Sequence, residues 1–515
     1  MLTQHLPLVL TISILCAIGS AHASNIGPHR LKSTPSSPDN WLGGTGNWSD
    51  GADWSAGLPG SNSDVIINTG NDDVILDTSA NIQSLALGGT SGFNTSVLEG
   101  NLTPQTLNIA GALTINQSGY LELKNDMINV GGNSISAGGI LIDHGSALKI
   151  AGNMENSGQF QMTAFGSGGD TLTVGGTFTN DHGATFLIVG PNDVANLGSL
   201  VNGGDSLVNT GATLNLTNQP NGITDISAGS EFELRGTFNA GGKNGLANLQ
   251  SVEGFLLLET GNTTVVAPGN GTLALNTGGS IVLDAASTLQ VNGNLTISNY
   301  ANIFTSDVSP GGGNAINING TLTIYPYGSL QMGTYGFDNA VVTKGIVNNG
   351  TLNLEQASLT TPMLTNGGFT YLQLNSFMIV GQAGLHMPTS AGYHQLANGI
   401  LGEVITPDYF GYIQSPYAYL DGTLDILLQS GFNPTPGTTY KFFLLQPGGL
   451  SGEFATVEND YFNGGSEYWA LDYNNAQGFV ELVAESASTP EPSSILLFGS
   501  GLLGIAAVLR RKGRT

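Results

Sequence analysis

The chain has 515 residues, of which 76 are glycine and only 10 % are charged, and its formal net charge is −25 at pH 7. So acidic a chain is repelled by nucleic acid and by anionic lipid, which argues against a nucleic-acid-binding protein. A hydrophobic content of 40 % is enough for a core and argues against global disorder.

The acidic, asparagine-rich surface that this composition predicts suits hydrated polysaccharide or divalent cations, although solubility alone also explains it. Without the tail from Pro490 onward, eight basic residues face 36 acidic ones. We expect no cofactor, and the acidic surface leaves weak Ca²⁺ binding open.

The first element is an apolar run, "LPLVLTISILCAIG", followed by the triplet "AHA". A run of this length with small residues after it is typical of a secretory signal peptide, with Ala21 and Ala23 forming the cleavage site. The sequence therefore predicts that residues 1–23 direct export through the Sec translocon and are removed. Residues 24–40 are then a flexible leader.

The single cysteine, Cys16, lies inside the apolar run. Leu15 precedes it where a lipoprotein acceptor needs a small residue, so a lipid anchor is not expected. If cleavage follows Ala23, the mature chain has no cysteine and therefore no disulfide or thiolate metal site.

Three of the four tryptophans, Trp41, Trp48 and Trp54, lie in "NWLGGTGNWSDGADWSAGLPG". This segment resembles the opening of secreted bacterial β-helix proteins of the autotransporter-passenger type. The resemblance implies that residues 41–100 form an N-terminal β cap and the first coils. We interpret the tryptophans as a plug for the first coil, with stacking on sugar as the alternative.

A short pattern recurs through residues 101–400: glycine, a spacer, then an apolar, a polar and an aliphatic residue. Examples are "GALTI" at Gly111, "GATLNL" at Gly211 and "GTLTI" at Gly320. Alternation over three to five residues is the period of a short, half-buried strand, and glycine or asparagine before it supplies the turn. Helix signals are nearly absent.

These strands could form a sandwich, a propeller or a solenoid, but their spacing is too irregular for propeller blades. Coils of about 20 residues with two or three strands each fit the gaps, and stacked asparagines could satisfy buried backbone at the turns. The sequence therefore predicts an all-β fold, a right-handed parallel β-helix (solenoid) with β caps at both ends.

The segment that begins at Gly422, "GTLDILLQSGFNPTPGTTYKFFLLQPGG", resembles the closing segment of the same passengers and of PEP-CTERM proteins. The wider region, residues 401–485, is rich in tyrosine and phenylalanine, as a cap over an exposed coil should be. It is predicted to be the C-terminal β cap. Residues 486–492 then form a linker.

The tail, residues 493–515, is an apolar run with a basic end. The 17 uncharged residues from Ser493 to Leu509 would span roughly 25 Å as a helix, marginal against a bilayer core of about 30 Å. Snorkelling of the basic residues could cover the deficit, and these charges should stay cytoplasmic. We predict a single C-terminal transmembrane helix that tethers an exported body to the inner membrane.

This tail is similar to the PEP-CTERM sorting signal of Gram-negative bacteria. The resemblance covers about the last 26 residues, and the motif residues are Pro490, Glu491, Pro492, Arg510, Arg511 and Lys512. It implies that an exosortase, a membrane transpeptidase-like enzyme, cleaves near the Pro-Glu-Pro. It also implies release or transfer to the cell surface, in a setting of exopolysaccharide and biofilm production.

Some β-helix proteins act on polysaccharides, and glycoside hydrolysis requires paired carboxylates in one groove. The candidates by type are Asp72 and Asp73 in "NDD", and two copies of "DHG", one at Asp143-His144 and one at Asp181-His182. Arg235 lacks a lysine partner, and "DHG" is also a natural turn. We therefore predict no catalytic residues and no metal ligands.

The most favoured function is a secreted structural or adhesion protein, held at the cell surface or in an exopolysaccharide matrix and processed by an exosortase. The alternative is a polysaccharide-active enzyme or a carbohydrate-binding protein. The enzyme alternative requires Asp72, Asp143 and Asp181 to converge in one groove.

Overall fold

The computed structural model describes residues 38–91, 95–164, 168–306, 313–333, 337–381 and 391–487. In this part of the chain, 54 short strands and two 3₁₀ turns, Gly51–Asp53 and Asn463–Gly465, form a parallel β-solenoid with three faces. The predicted all-β solenoid is thus confirmed. The predicted signal peptide and transmembrane helix lie outside the described residues.

Face 1 is one continuous ladder of parallel strands that runs the length of the described body. Its strands are Thr45–Asn47, Asp72–Leu76, Ser96–Gly100, Gly119–Lys124, Gly139–Asp143, Gln159–Met162, Thr185–Ile188, Asp205–Val208, Glu231–Leu234, Phe255–Leu258, Ser280–Asp284, Asn302–Ser306, Ser329–Met332, Thr351–Glu355, Phe369–Gln373, Ile400–Ile405, Thr423–Leu428 and Thr456–Glu458.

Face 2 is built from the strands that follow face 1 in each coil. They are Ala80–Ile82, Thr106–Ile109, Met127–Val130, Ala147–Ile150, Thr213–Leu216, Thr237–Ala240, Thr263–Val266, Thr288–Val291, Ala315–Ile318, Asp338–Val342, Ala357–Thr361, Phe377–Val380, Tyr412–Gln414 and Thr439–Leu444. Lys243–Asn244 pairs antiparallel with Thr237–Ala240.

Face 3 is built from the strands that precede face 1 in each coil. They are Asp39–Asn40, Asp64–Ile67, Ser84–Leu87, Leu113–Ile115, Ser134–Ser136, Met154–Asn156, Asp225–Ile226, Ser251–Val252, Thr272–Leu275, Asn294–Ile297, Thr321–Ile324, Gly345–Asn348, Met363–Asn366, Gly392–Gln395, Ala418–Leu420 and Leu450–Gly452.

Two long strands, Thr171–Asn180 and Val194–Asn202, run through the corner between faces 2 and 3 and belong to both. They pair with each other in parallel, with a register shift between Val174 and Thr177. The corner bends at this irregularity, which lets one unbroken strand serve two faces.

Alternation of apolar and polar residues places the core. In strand Thr213–Leu216, both leucines are buried and the threonine and asparagine point outward. The same alternation in the stacked coils fills the interior with columns of aliphatic side chains. Coils stacked in this way need no disulfide for stability, because each coil buries its apolar side chains against the next coil.

Buried asparagines stack at the corner between faces 3 and 1. Asn156 donates to the Asn180 side chain at 2.8 Å, and Asn180 donates to the Asn202 side chain at 2.9 Å. Asn180 also donates to the backbone carbonyl of Asp205 at 3.1 Å. A second stack, Asn348 on Asn366, repeats the arrangement further along. These ladders satisfy carbonyls that the turn leaves without a strand partner.

A second column of buried polar residues follows the corner between faces 1 and 2. The Asp170 carboxylate accepts the N–H of Ser146 at 2.8 Å, and the Asp193 carboxylate accepts the N–H of Asp170 at 3.0 Å. The Thr163 hydroxyl donates to Asp170 at 2.6 Å. Burial nevertheless raises the pKa of both aspartates.

The two ends of the solenoid are closed by aromatic clusters. Trp54 packs between Trp41 and Trp48 with ring centroids 5.0 and 4.9 Å away, and all three rings are buried. These rings therefore fill the first coil and are not available to a sugar. At the other end, Phe479–Ser486 folds back antiparallel on Thr439–Leu444, and Glu467–Asn474 pairs antiparallel with the outer edge of Phe479–Ser486.

Candidate functional surfaces

The first sequence-predicted carboxylate, Asp72, has a structural role. It begins a face 1 strand and is buried, and it accepts hydrogen bonds from the hydroxyls of Thr69 and Ser96. Its neighbour Asp73 points outward, and burial with the nearby Glu99 charge raises the pKa of its carboxyl. The "NDD" pair therefore points to opposite sides of the sheet.

The two "DHG" triplets occupy different corners. Asp143 is buried where face 1 ends and accepts the N–H of His144 at 2.8 Å. Asp181 lies in the turn from face 3 into face 1, where its carbonyl accepts the N–H of Ala184 at 3.0 Å. Both triplets thus act as turns, as their residue types allow.

The three candidate carboxylates do not converge. Asp72 and Asp181 lie at the same corner but five coils apart, about 24 Å at the usual strand spacing. Asp143 lies at the other edge of face 1. The groove that the enzyme alternative required is therefore not formed by these residues.

The basic residues on face 1 are already paired. Arg235 forms ion pairs with Glu233 and Glu259. Lys124 lies 2.6 Å from Glu99, and this contact keeps the pKa of the lysine raised against the opposing effect of burial. Neither cation is free to neutralise a bound uronate.

Across the described ranges, no three histidine, cysteine, aspartate or glutamate side chains are grouped so that they could hold a metal ion. Within those ranges there is also no helix with the length and apolarity needed to cross a membrane.

A buried carboxyl that the sequence reading missed lies near the C-terminal end. Glu403 occupies an inward position of face 1, is 1 % exposed, and pairs in register with Leu372 and Ile426. Neither carboxyl oxygen has a hydrogen-bond partner among the described residues, although the N–H of Gly411 lies close. Burial raises the pKa of Glu403 well above its usual value.

Two tyrosines project from the corner between faces 3 and 1 on successive coils. Tyr300 and Tyr327 are 66 % and 71 % exposed, and their rings stack with centroids 5.3 Å apart at an interplanar angle of 8°. The N–H of Tyr300 donates to the carbonyl of Tyr327 at 3.1 Å. We refer to this pair as the tyrosine corner.

The backbone at the tyrosine corner is left-handed, with φ of 60° at Tyr300 and 63° at Tyr327. Five other coils close a four-residue turn at this corner by a hydrogen bond between its first and fourth residues, and three of them share the left-handed third residue. These three turns place glycine at this position, with φ between 76° and 84°: Gly183, Gly229 and Gly278. A tyrosine here replaces the residue that the conformation favours.

A shallow groove of about 420 Å³ begins beside the tyrosine corner on the outer surface of face 1. It is lined by Ser329, Gln331, Thr351, Asn353, Tyr371 and Gln373, with Val404 and Leu427 at its far end. Ser329 stands two residues after Tyr327 and starts its strand, so this end of the groove lies near the corner.

The Tyr371 ring can form the floor of the groove because the residue beneath it, Gly402, has no side chain. Tyr371 lies over Gly402 of the next coil, where an added Cβ would come within 2.1 Å of the tyrosine ring. Phe369 stacks beside Tyr371 at 6.3 Å and 5°. Burial, with the charges of Asp425 and Glu458, raises the pKa of Tyr371.

The sequence reading missed these tyrosines, yet a signal for them exists. The turns "SNYAN" and "YPYGS" align with "DHGAT" and "SAGSE" once the strands on either side are matched. A bulky residue at a position where several other coils have glycine is visible only after that alignment.

Comparisons with known proteins add the following. Residues 488–512 match the PEP-CTERM protein-sorting motif. The predicted motif residues fall in this segment, which lies outside the described residues. A search of curated proteins finds no match.

Six chains of solved structures match this chain, and two of them are the following. The first is a hyper-glycosylated TibA fragment, with 14 % identity over 81 % of this chain and 100 % of that chain, at a TM-score of 0.21. The second is the Haemophilus influenzae Hap adhesin, with 14 % identity over 84 % of this chain and 66 % of that chain, at a TM-score of 0.17. The solenoid assignment rests on the strand pairing of this chain, and its C-terminal sorting motif is the PEP-CTERM type.

Proposed function

We propose that this chain is an exported structural or adhesion protein, held at the cell surface or in the exopolysaccharide matrix of a Gram-negative bacterium. The observation that carries the proposal is the junction at the C-terminus. The last described strand of the solenoid, Phe479–Ser486, ends two residues before the sorting motif begins at residue 488. A sorting signal that directly follows a folded domain is what a protein displayed at the cell surface requires.

The proposal assigns a role to each part of the chain. Residues 1–23 direct export through the Sec translocon and are cleaved after Ala23. The segment 493–515 tethers the precursor transiently in the inner membrane, and an exosortase-type enzyme cuts near Pro490, Glu491 and Pro492. The body that is released is an acidic, repetitive rod, which can offer long strands and grooves for contact with a matrix.

The enzyme alternative has no observation in its favour, since its candidate carboxylates lie on different parts of the solenoid. The carbohydrate-binding alternative is supported by the tyrosine corner and its groove. It is compatible with a surface role, because a displayed rod that holds a polymer is an adhesion protein.

Replacing Pro490, Glu491 and Pro492 together by alanine is expected to abolish surface display, since the processing enzyme would no longer find its junction. The precursor should remain in the inner-membrane fraction with its tail intact, as intact-mass measurement would reveal. The wild-type protein recovered from the surface should end before Arg510.

A matched control is the internal Pro-Thr-Pro segment, altered as Thr435→Ala with Pro436→Ala, two positions that are exposed. This variant should reach the surface like the wild type. Surface protein that retains residues beyond Arg510, or normal display of the triple-alanine variant, would contradict the proposal.

A further inference from the structure

We propose that the tyrosine corner and the adjoining groove form a binding site for a neutral polysaccharide. The inference deepens the proposed surface function by naming where a polymer binds and of what class it is. Four features of the site support it: conformational strain, accessible ring faces, local charge, and the hydrogen-bonding groups of the groove.

The first step is strain. A tyrosine in the left-handed region is uncommon, and such outliers persist where the surroundings or a function require them. Three equivalent turns keep glycine, so neither the coil geometry nor the turn hydrogen bond demands a large side chain. Since both rings are mostly exposed, packing does not explain them either.

The second step is accessibility of the ring faces. Tyr300 and Tyr327 stack on each other along the direction in which coils stack, so each ring keeps one outer face. The coil before Tyr300 has Gly278 at the equivalent position, and the coil after Tyr327 has a short turn through Gly350. Neither neighbouring turn places a large side chain at this position, which leaves flat aromatic faces for a sugar ring to pack against.

The third step is charge. The chain carries −25 overall, yet residues 294–306 and 313–333 contain no aspartate, glutamate, lysine, arginine or histidine. These segments include the two turns of the tyrosine corner and the start of the groove. A uronate polymer would meet the repulsion of the whole body without a local cation to offset it, whereas a neutral polymer would not.

The fourth step is the chemistry of the groove, which runs from Ser329 towards the C-terminal coils. Hydroxyl and amide groups on successive coils line it, with the Tyr371 ring as an aromatic floor. Gln373 donates to Asn353 at 2.7 Å and so holds the amides in one orientation. Coils repeat at about 4.8 Å, close to the length of one sugar unit, so equivalent groups can meet successive units.

The test uses the full chain and affinity electrophoresis in gels that contain dextran, galactomannan or xyloglucan, with alginate as the uronate comparison. We expect at least one neutral polymer to retard the wild type, without loss at high salt, and alginate to have no effect. Tyr300→Gly combined with Tyr327→Gly should weaken this binding about tenfold.

The double glycine variant is matched to the chain's own turns, so it should fold and melt at the same temperature as the wild type or higher. Tyr461→Ala removes an exposed tyrosine, 62 % exposed, at the far cap and should bind like the wild type. Unchanged binding in the double variant, retardation by alginate alone, or no retardation by any neutral polymer would overturn the inference.

Two further outcomes would also overturn it. A lower melting temperature of the double variant would show that the tyrosines stabilise the fold. Self-association of the wild type that the variant loses, seen by analytical ultracentrifugation, would assign the corner to contact between copies. Surface display of the variant is scored separately, because it should stay normal even if binding fails, which keeps the proposed function distinguishable.

Discussion

Asn180→Leu is expected to lower the free energy of unfolding by about 3 kcal/mol, because it removes the middle rung of the buried asparagine ladder. The substitution deletes two donated hydrogen bonds, to Asn202 and to the Asp205 carbonyl, and one accepted from Asn156. Each buried polar group left without a partner costs about 1–3 kcal/mol.

The loss should also change the shape of the unfolding transition. Coils of a solenoid are stabilised mainly by their neighbours, so a weak interface in the middle uncouples the segments on either side. Urea unfolding followed by circular dichroism should therefore show two transitions for this variant where the wild type shows one.

Asn108→Leu is the matched control. Asn108 belongs to an outward row, where it donates to Asn81 and accepts from Asn129, and it is exposed. The same substitution here should change stability by no more than about 0.5 kcal/mol. Equal effects at the two positions would show that the buried ladder contributes nothing beyond the exposed one.

The body is expected to lose stability as the pH rises from about 5 to 8. Burial is the first cause of a raised pKa at ten carboxyls: Asp73, Asp126, Asp170, Asp181, Asp193, Asp205, Glu231, Glu259, Glu355 and Glu403. A raised folded-state pKa means that folding takes up protons above the unfolded pKa of about 4. Stability is then highest near or below that value and falls with pH through the folded pKa values.

Glu403 should make the largest single contribution, since burial raises its pKa well above the usual value and its carboxyl oxygens lack a hydrogen-bond partner among the described residues. Glu403→Gln replaces a carboxyl that burial makes costly to ionise with a neutral amide. It should therefore stabilise the protein at pH 8 and leave it nearly unchanged at pH 5.

The measurement is the melting temperature as a function of pH for the wild type, Glu403→Gln and the exposed control Glu453→Gln. The control should follow the wild-type curve, whereas the Glu403 variant should give a flatter one. A melting temperature that rises with pH in the wild type would contradict the assignment.

Much of the fold is predictable from the sequence because strand alternation is a local property. "GALTI" at Gly111 contains the strand Leu113–Ile115, and "GATLNL" at Gly211 contains Thr213–Leu216. The prediction that asparagines stack at turns and satisfy backbone groups is also met by Asn156, Asn180 and Asn202.

The assignment of each strand to a face is not a local property, so the sequence did not predict on which face each strand lies. The two "DHG" triplets look alike, but Asp143 ends a face 1 strand whereas Asp181 follows a strand that ends on face 3, so they lie at different corners. The face depends on how many residues each preceding turn uses. For the same reason, the tyrosine corner could not be found before the coils were aligned.

Glu403 was missed for a different reason. Its strand, "ILGEVI", departs from simple alternation, and a glutamate within it suggests an outward position. Only the register with Leu372 and Ile426 shows that the side chain points inward.

The continuity of face 1 has a mechanical consequence. Within residues 168–306, all of which are described, the ladders of faces 2 and 3 are interrupted: no pairing joins Thr237–Ala240 to Thr263–Val266, or Asn202 to Asp225–Ile226. Face 1 alone carries an unbroken series of hydrogen-bonded strands past this seam. Under a lateral load, the solenoid should therefore bend at this seam. The two interrupted faces should open there, while the hydrogen-bonded strands of face 1 stay paired and keep both halves in register.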